Sequence, residues 1–286
     1  KVALGRRLFD EPRLSLSGQI ACASCHDRDL GWADGRRVSF GHDRQSGRRN
    51  APSVAMSAYA QPLFWDGRAA TLEEQALFPI HDPKEMAFSP EAATERLQAD
   101  PEYREQFAKV FGDARIDPQR LGQALAAFQR SLVPRNNRFD RFLRGNPRML
   151  DDEQLLGLHL FRTQARCMNC HSGPALTDND FHNLGLHFHG RPKQDLGRYE
   201  ITGNPADAGK FRTPSLRGVT RTGPWMHDGG FTTLQAVLSL YNIGGARPRA
   251  RQATPDSPVP QPDPLLQRLD LERDQLKAIE AFLETL

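Results

Sequence analysis

The motif Cys-x-x-Cys-His occurs twice, as Cys22-Ala23-Ser24-Cys25-His26 and as Cys167-Met168-Asn169-Cys170-His171, and the two copies use all four cysteines of the 286-residue chain. The spacing lets two thiols add across the vinyl groups of one haem. The next histidine, tied to its attached cysteine, is then placed to coordinate the iron as proximal ligand. A redox-active C-x-x-C pair or half of a zinc site accounts for the cysteines alone. Neither accounts for a histidine directly after the second cysteine in both copies. The chain is therefore expected to carry two covalent haem c groups, one on Cys22, Cys25 and His26 and one on Cys167, Cys170 and His171.

This chemistry sets a compartment. Haem thioethers are made outside the cytoplasmic membrane, where disulfides are also permitted, so the expected location is the periplasm. The opening stretch Lys1 to Phe9 has no hydrophobic signal core and reads as a processed or trimmed form. No apolar run reaches the length that spans a bilayer, so no membrane insertion is expected. A net charge of +3 is too small to point to nucleic acid. The densest basic stretch, Arg36, Arg37, Arg44, Arg48 and Arg49, reads as a solvated loop.

Length and motif placement suggest two modest domains with one haem in each. Helical periodicity recurs while strand signals are sparse. Leu121, Leu125, Phe128 and Leu132 mark a helix that Asp117-Pro118 starts and Pro134 ends. Another helix starts near Asp151 and runs through Leu155, Leu158 and Phe161, and a last one covers Leu271 to Leu286. The expected fold is mostly α, with two cytochrome c-like haem domains in tandem, 1–134 and 135–286, joined by long loops. The loops 26–70 and 172–233 contain the most unusual residues, as long loops in compact domains tend to.

Beyond the haem motifs, five segments are distinctive: Leu4-Gly5-Arg6-Arg7-Leu8-Phe9, Arg49-Asn50-Ala51-Pro52-Ser53, Phe64-Trp65-Asp66-Gly67-Arg68-Ala69, Phe211-Arg212-Thr213-Pro214-Ser215-Leu216-Arg217 and Gly223-Pro224-Trp225-Met226-His227-Asp228-Gly229-Gly230. With both haem motifs in order, the chain resembles the bacterial dihaem cytochrome c peroxidase superfamily over nearly its whole length. That superfamily includes hydrogen peroxide reductases and a MauG-like branch, of MauG and MbnH type, that uses peroxide to oxidise a residue of another protein.

The resemblance assigns roles. It places Glu85 and Pro79 over the distal face of the His26 haem, with Gln75 nearby, and makes Glu85 the acid/base of O–O cleavage. Trp65 resembles the inter-haem tryptophan. Asn50, Thr222 and Pro224 resemble the positions that bind calcium through hard oxygen ligands. Tyr241 falls where the second haem's other axial ligand belongs. The reductases have methionine there, whereas a hard anionic oxygen favours oxidised iron. Met226 and His227 are competing ligands that the resemblance assigns to the haem wall.

Two departures bear on the branch. His42 matches a reductase histidine that occupies the peroxidatic iron in the resting state. Ala165 stands where MauG has an exit tryptophan, which makes the chain look more like an MbnH-type relative. His182, His187 and His189 admit a metal site. Haem-edge hydrogen bonding by His182 and exposure of the other two are more economical.

The expected function is that of a periplasmic enzyme whose two haems reach a high-valent, bis-Fe(IV) state with hydrogen peroxide and oxidise a Trp or Tyr of a partner protein. The alternatives are a peroxide reductase fed by a small cytochrome or copper protein, and a dihaem electron carrier.

Overall fold

The longer helices start where the sequence supplies a side-chain oxygen for their first unpaired N–H groups. Ser89 accepts from Ala92 N at 3.0 Å, Asp117 from Arg120 N at 2.9 Å, and Asp151 forms a reciprocal capping pair with Gln154. Proline follows the cap at positions 90, 101 and 118, where its missing N–H costs nothing.

The computed structural model describes residues 1–248 and 258–286. It divides into two units. The first comprises Lys1–Leu63, Ala69–Val133 and Asp228–Gly230, and the second Phe64–Arg68, Pro134–His227 and Phe231–Leu286. About 43% of the described residues are helical, counting 3₁₀ turns, so the fold is mostly α.

In the first unit the helices are α1 (Val2–Phe9), α2 (Leu72–Gln75), α3 (Phe78–His81), α4 (Pro90–Gln98), α5 (Pro101–Phe111) and α6 (Pro118–Ser131). The second has α7 (Arg138–Leu143), α8 (Asp152–Arg162), α9 (Tyr199–Thr202), α10 (Leu234–Asn242) and α11 (Arg273–Leu283). Among the described residues the sheet is one antiparallel pair, β1 (Phe181–His182) with β2 (Phe211–Arg212), in which Phe181 faces Arg212. The two expected loops thus hold short helical turns and, in the second, this pair, while the three expected helices are α6, α8 and α11.

One geometry recurs in both units. In the first, α1 crosses α6 so closely that a Cβ on Gly5 would lie 1.9 Å from Ala124 O. In the second, α8 crosses α11 with a Cβ on Gly157 at 1.8 Å from Ala278 O. Four residues on, Phe9 meets Phe128 edge to face at 5.2 Å and 63°, and Phe161 meets Phe282 at 5.3 Å and 61°. Both cores condense around these crossings. Leu8, Leu121 and Leu125 are buried in one, and Leu160, Ile279 and Leu283 in the other.

Gly5→Ala or Gly157→Ala should therefore destabilise its unit by about 1–3 kcal/mol or more, because the methyl has to displace backbone. Thermal unfolding of the two variants measures it. A second expectation concerns acid. Burial alone raises the Glu11 pKa, but hydrogen bonds from Arg13 (Nε at 2.8 Å) and Tyr103 (Oη at 2.7 Å) outweigh it and hold the carboxyl near 2, against an ordinary 4.5. A depressed folded-state pKa means that this stabilisation is full above pH 4.5 and is lost as pH falls toward 2. Unfolding followed across that window should show it, and Glu11→Gln should flatten that part of the profile.

Candidate haem sites

Each Cys-x-x-Cys-His motif forms a 3₁₀ turn, Cys22–Ser24 and Cys167–Asn169. The amides of His26 and His171 close it by donating to Cys22 O at 3.0 Å and Cys167 O at 2.8 Å. In both, the imidazole Nδ1 lies 3.1 Å from a main-chain carbonyl, Trp32 O for His26 and Leu176 O for His171. A carbonyl only accepts, so Nδ1 carries the proton and Nε2 is left with the lone pair a metal needs. Burial lowers the pKa of both imidazoles, which keeps them neutral.

The thiols agree with this reading. All four cysteines are free, and burial pushes Cys22 and Cys167 up to about 12. A redox-active C-x-x-C pair needs the opposite shift. The donor sets therefore fit covalent haem, with two thiols and one neutral imidazole per site.

On the first site, Glu85 is close enough to both Cys22 and Cys25 for its charge to raise their pKa values, behind the larger effect of burial. It sits in a tight turn where Glu85 N donates to Asp82 O at 3.0 Å and the next amide, Met86 N, to Pro79 O at 3.1 Å. Pro79 and Glu85 are thereby brought together, and Gln75 ends α2, partly buried. His42 N donates to Glu85 O at 2.8 Å, while a Cβ on Gly41 would lie 2.1 Å from Lys84 O. His42 is thus fixed against the Glu85 turn. Its Nδ1 is buried without a hydrogen-bond partner among the described residues, and Nε2 stands 3.5 Å from the Asp43 carboxylate.

On the second site, Tyr241 lies on α10 with its phenol enclosed near Cys167 and Cys170. Burial first, and then these two sulfurs, push its pKa well above the usual range. Its neighbour Asn242 fixes that end of the helix. Leu269 N donates to Asn242 O at 3.0 Å, Leu271 N to Oδ1 at 2.9 Å, and Nδ2 to Leu271 O at 3.1 Å.

His182 has both ring nitrogens on carboxylates, Nδ1 to Asp263 at 2.6 Å and Nε2 to Asp178 at 3.0 Å. Cys170 raises its pKa most, against burial, and Asp263 and Asp178 add to this, for a value of about 10. The Cys170 share disappears once that sulfur is a thioether. Cys170, Asp178 and His182 place ligand atoms within 4.8 Å of one another, but haem attachment takes up the sulfur. These carboxylates were not evident in sequence because Asp263 is remote and Asp178 lies in an aperiodic loop.

The expectation that His187 and His189 are exposed is corrected. They are 4% and 5% exposed, because the 187–195 segment folds back on itself, Asp195 N to His187 O at 2.9 Å, and His187 packs against Gly209. Burial, then His189, lowers the His187 pKa to about 4.

His227 is 3% exposed and stacks on Phe211 at 3.5 Å and 11°. Ala165 is buried in the second core. Of the residues assigned to calcium, Asn50 turns Nδ2 to Arg36 O at 2.9 Å in the first unit. In the second, Thr222 Oγ1 donates to Val219 O at 3.1 Å, close to Pro224 in the chain.

Comparison with known proteins agrees with this chemistry. A family model described as di-haem cytochrome c peroxidase matches residues 1–148. The chain is 38% identical to the cytochrome c551 peroxidase of Nitrosomonas europaea over 99% of its own length and 78% of the relative's. It is 41% identical to the methylamine utilization protein MauG of Methylophilus methylotrophus over 84% of its length and 72% of that protein. Its fold matches the crystal structure of a MauG-like protein associated with microbial copper homeostasis, with a TM-score of 0.89 and 34% identity, covering 100% of this chain and 88% of that one. The chain belongs to the di-haem cytochrome c peroxidase family and is a haem oxidoreductase that acts with peroxide.

Proposed function

We propose that the protein is a periplasmic, MauG-like enzyme that uses hydrogen peroxide to oxidise a Trp or Tyr of a partner protein. The observation that carries this reading is Tyr241, whose phenol is enclosed beside Cys167 and Cys170 at the second haem motif. Haem, when bound, supplies the iron at which peroxide is cleaved and its oxidising equivalents are held. The chain's own residues divide the remaining work. His26 and His171 present Nε2 as proximal ligands, and the Cys22/Cys25 and Cys167/Cys170 pairs fix each macrocycle.

With haem in place, Glu85 would move a proton from one peroxide oxygen to the other, so that water can leave. Pro79 and Gln75 shape the space around it. With haem in place, Tyr241 would give up its phenol proton to the iron's pull and supply the second centre with a hard, anionic oxygen that favours the oxidised metal. Trp65 carries electrons between the two centres, and Asn50, Thr222 and Pro224 hold calcium. With alanine at 165, oxidising equivalents reach the partner by another route than a tryptophan there.

A second reading has an observation of its own. The buried, partnerless Nδ1 of His42, fixed against the Glu85 turn, suits a resting-state iron ligand. In that case the protein is a peroxide reductase that takes electrons from a small cytochrome or copper protein and needs one electron before it reacts.

Stoichiometric peroxide added to the fully oxidised holoprotein, with no reductant, separates the two. Prompt spectral change at both haems is expected. Inertness until one electron is supplied would establish the His42-gated reductase instead. Glu85→Gln should slow the peroxide reaction by about 10²–10⁴-fold with both haems still attached, which stopped-flow absorption and haem content measure together. Tyr241→Met should raise the reduction potential of the second centre, as read by spectroelectrochemistry.

A further inference from the structure

The loop that carries Trp65 has an unusual attachment. Four consecutive carbonyls, of Phe64, Trp65, Asp66 and Gly67, are all held by two arginine residues of the second unit. Arg212 donates through Nε to Phe64 O at 3.3 Å and through its main-chain N to Trp65 O at 2.8 Å. Arg198 donates through one Nη1 to Asp66 O and Gly67 O, both at 2.9 Å. Within the loop, Arg68 stacks on Phe64 at 3.5 Å and pairs with Asp66 at 3.1 Å, while Gly67 takes a φ of +72°. The motif Phe64-Trp65-Asp66-Gly67-Arg68 is thus a closed knot that leaves its carbonyls outward for the two arginines.

These arginines are built into one platform. Arg212 is 8% exposed and its side chain otherwise reaches only neutral oxygens among the described residues, Asn179 Oδ1 at 3.3 Å and Thr213 O at 3.1 Å. A buried cation without a carboxylate is costly, and burial alone lowers its pKa to about 10. Arg198 lies over the Phe181 ring at 4.6 Å, and Phe181 pairs with Arg212 in the sheet.

The same strand continues to the second haem motif. Thr213 N donates to Asp180 O at 2.9 Å, Thr177 Oγ1 to Thr213 O at 2.7 Å, and the carbonyl of Pro214 faces the His171 ring. Within three residues the strand thus runs from Arg212, which holds the Trp65 loop, to Pro214, whose carbonyl faces the proposed axial histidine.

We propose that Arg198 and Arg212 are positioning residues that lock Trp65 in register with the His171 centre, and that this lock sets the rate at which oxidising equivalents reach that centre. The inference rests on the reading of Trp65 as the relay. In the step concerned, the indole gives up one electron toward the His26 side and regains one from the His171 side. No proton leaves it and no net charge remains.

Holoprotein variants Arg198→Met, Arg198→Lys and Trp65→Phe test this. Two readouts are taken: the delay between the spectral changes of the two haems after peroxide, and hydrogen exchange of the peptide spanning 64–68. Arg198 is chosen because it is less buried than Arg212 and its removal leaves the strand pairing intact. Arg198→Met should lengthen the delay on the order of tenfold or more, since misplacement by an ångström costs up to 10²-fold, and should speed exchange at 66–68. Arg198→Lys, which can still donate to both carbonyls, should restore both. A normal delay in Arg198→Met alongside a slowed Trp65→Phe overturns the lock while leaving Trp65 as relay. A normal delay in Trp65→Phe overturns the relay itself, and with it any role of the arginines in transfer.

Discussion

The close approach of two helix backbones, Gly5 against Ala124 and Gly157 against Ala278, is the constraint on which both haem sites depend. A helix pair at that separation has no room for a side chain at the crossing, so the next contacts along each helix have to fill the space beside it. Phe9 with Phe128 and Phe161 with Phe282 do so. In the first unit the consequence reaches the site within one contact. Phe9 lies 6.0 Å from the Trp32 ring and 6.2 Å from that of His26, and Trp32 O accepts the hydrogen bond from His26 Nδ1. The crossing positions the phenylalanine, the phenylalanine packs against the tryptophan, and the tryptophan's carbonyl orients the ligand. In the second unit Leu176, whose carbonyl takes the same role for His171, belongs to the core that contains Phe161 and Phe282.

One scaffold used twice does not make two equal sites. The proximal halves match, but the residues facing them come from segments without a counterpart in the other unit. The first unit brings a polar pair from turns, Glu85 and His42, linked main chain to main chain. The second brings Tyr241 from a regular helix whose end is fixed by three hydrogen bonds of Asn242. A turn residue can move to admit a small substrate, whereas a helical residue so tethered keeps its place. That asymmetry suits a pair of centres with different tasks.

Much of this was legible before any coordinates. The haem motifs, the Asp117-Pro118 start, the Asp151 cap and the 121, 125, 128 periodicity follow from local rules that packing does not override. The sequence also carries an internal repeat. Leu4-Gly5-x-x-Leu8-Phe9 returns as Leu156-Gly157-x-x-Leu160-Phe161, and Ala124-Leu125-x-Ala127-Phe128 as Ala278-Ile279-x-Ala281-Phe282. What local rules miss is pairing across sequence distance. Nothing near His182 announces Asp263, and nothing in the isotropic polarity of 187–195 announces that two histidines there are buried. The 64–68 segment groups with the second unit, and 228–230 with the first, where Arg37 donates to Asp228 O at 3.1 Å and a Cβ on Gly229 would lie 2.2 Å from Arg37 O. No periodicity encodes such an exchange.

The second unit also shows how a stretch without apolar periodicity becomes ordered. Between 172 and 233 the buried side chains include Asn183, His187, Asp195, Arg212, Thr213 and His227, residues whose burial is unfavourable unless hydrogen bonds replace those to water. Asn183, His187, Asp195 and Arg212 are bonded locally and specifically, and His227 stacks on Phe211. Asn183 Nδ2 reaches Gln261 O at 2.7 Å, Asp195 Oδ1 accepts from Gly197 N at 2.9 Å, and Arg212 serves three carbonyls, counting its main-chain amide, and one amide oxygen. Apolar packing fixes volume but tolerates sliding, whereas a hydrogen bond weakens steeply with angle and so fixes orientation. A segment that carries buried imidazoles and holds the Trp65 loop by its carbonyls gains more from the second kind of contact. The polarity that hides this region from pattern reading is thus the property that lets it serve as the frame of the site.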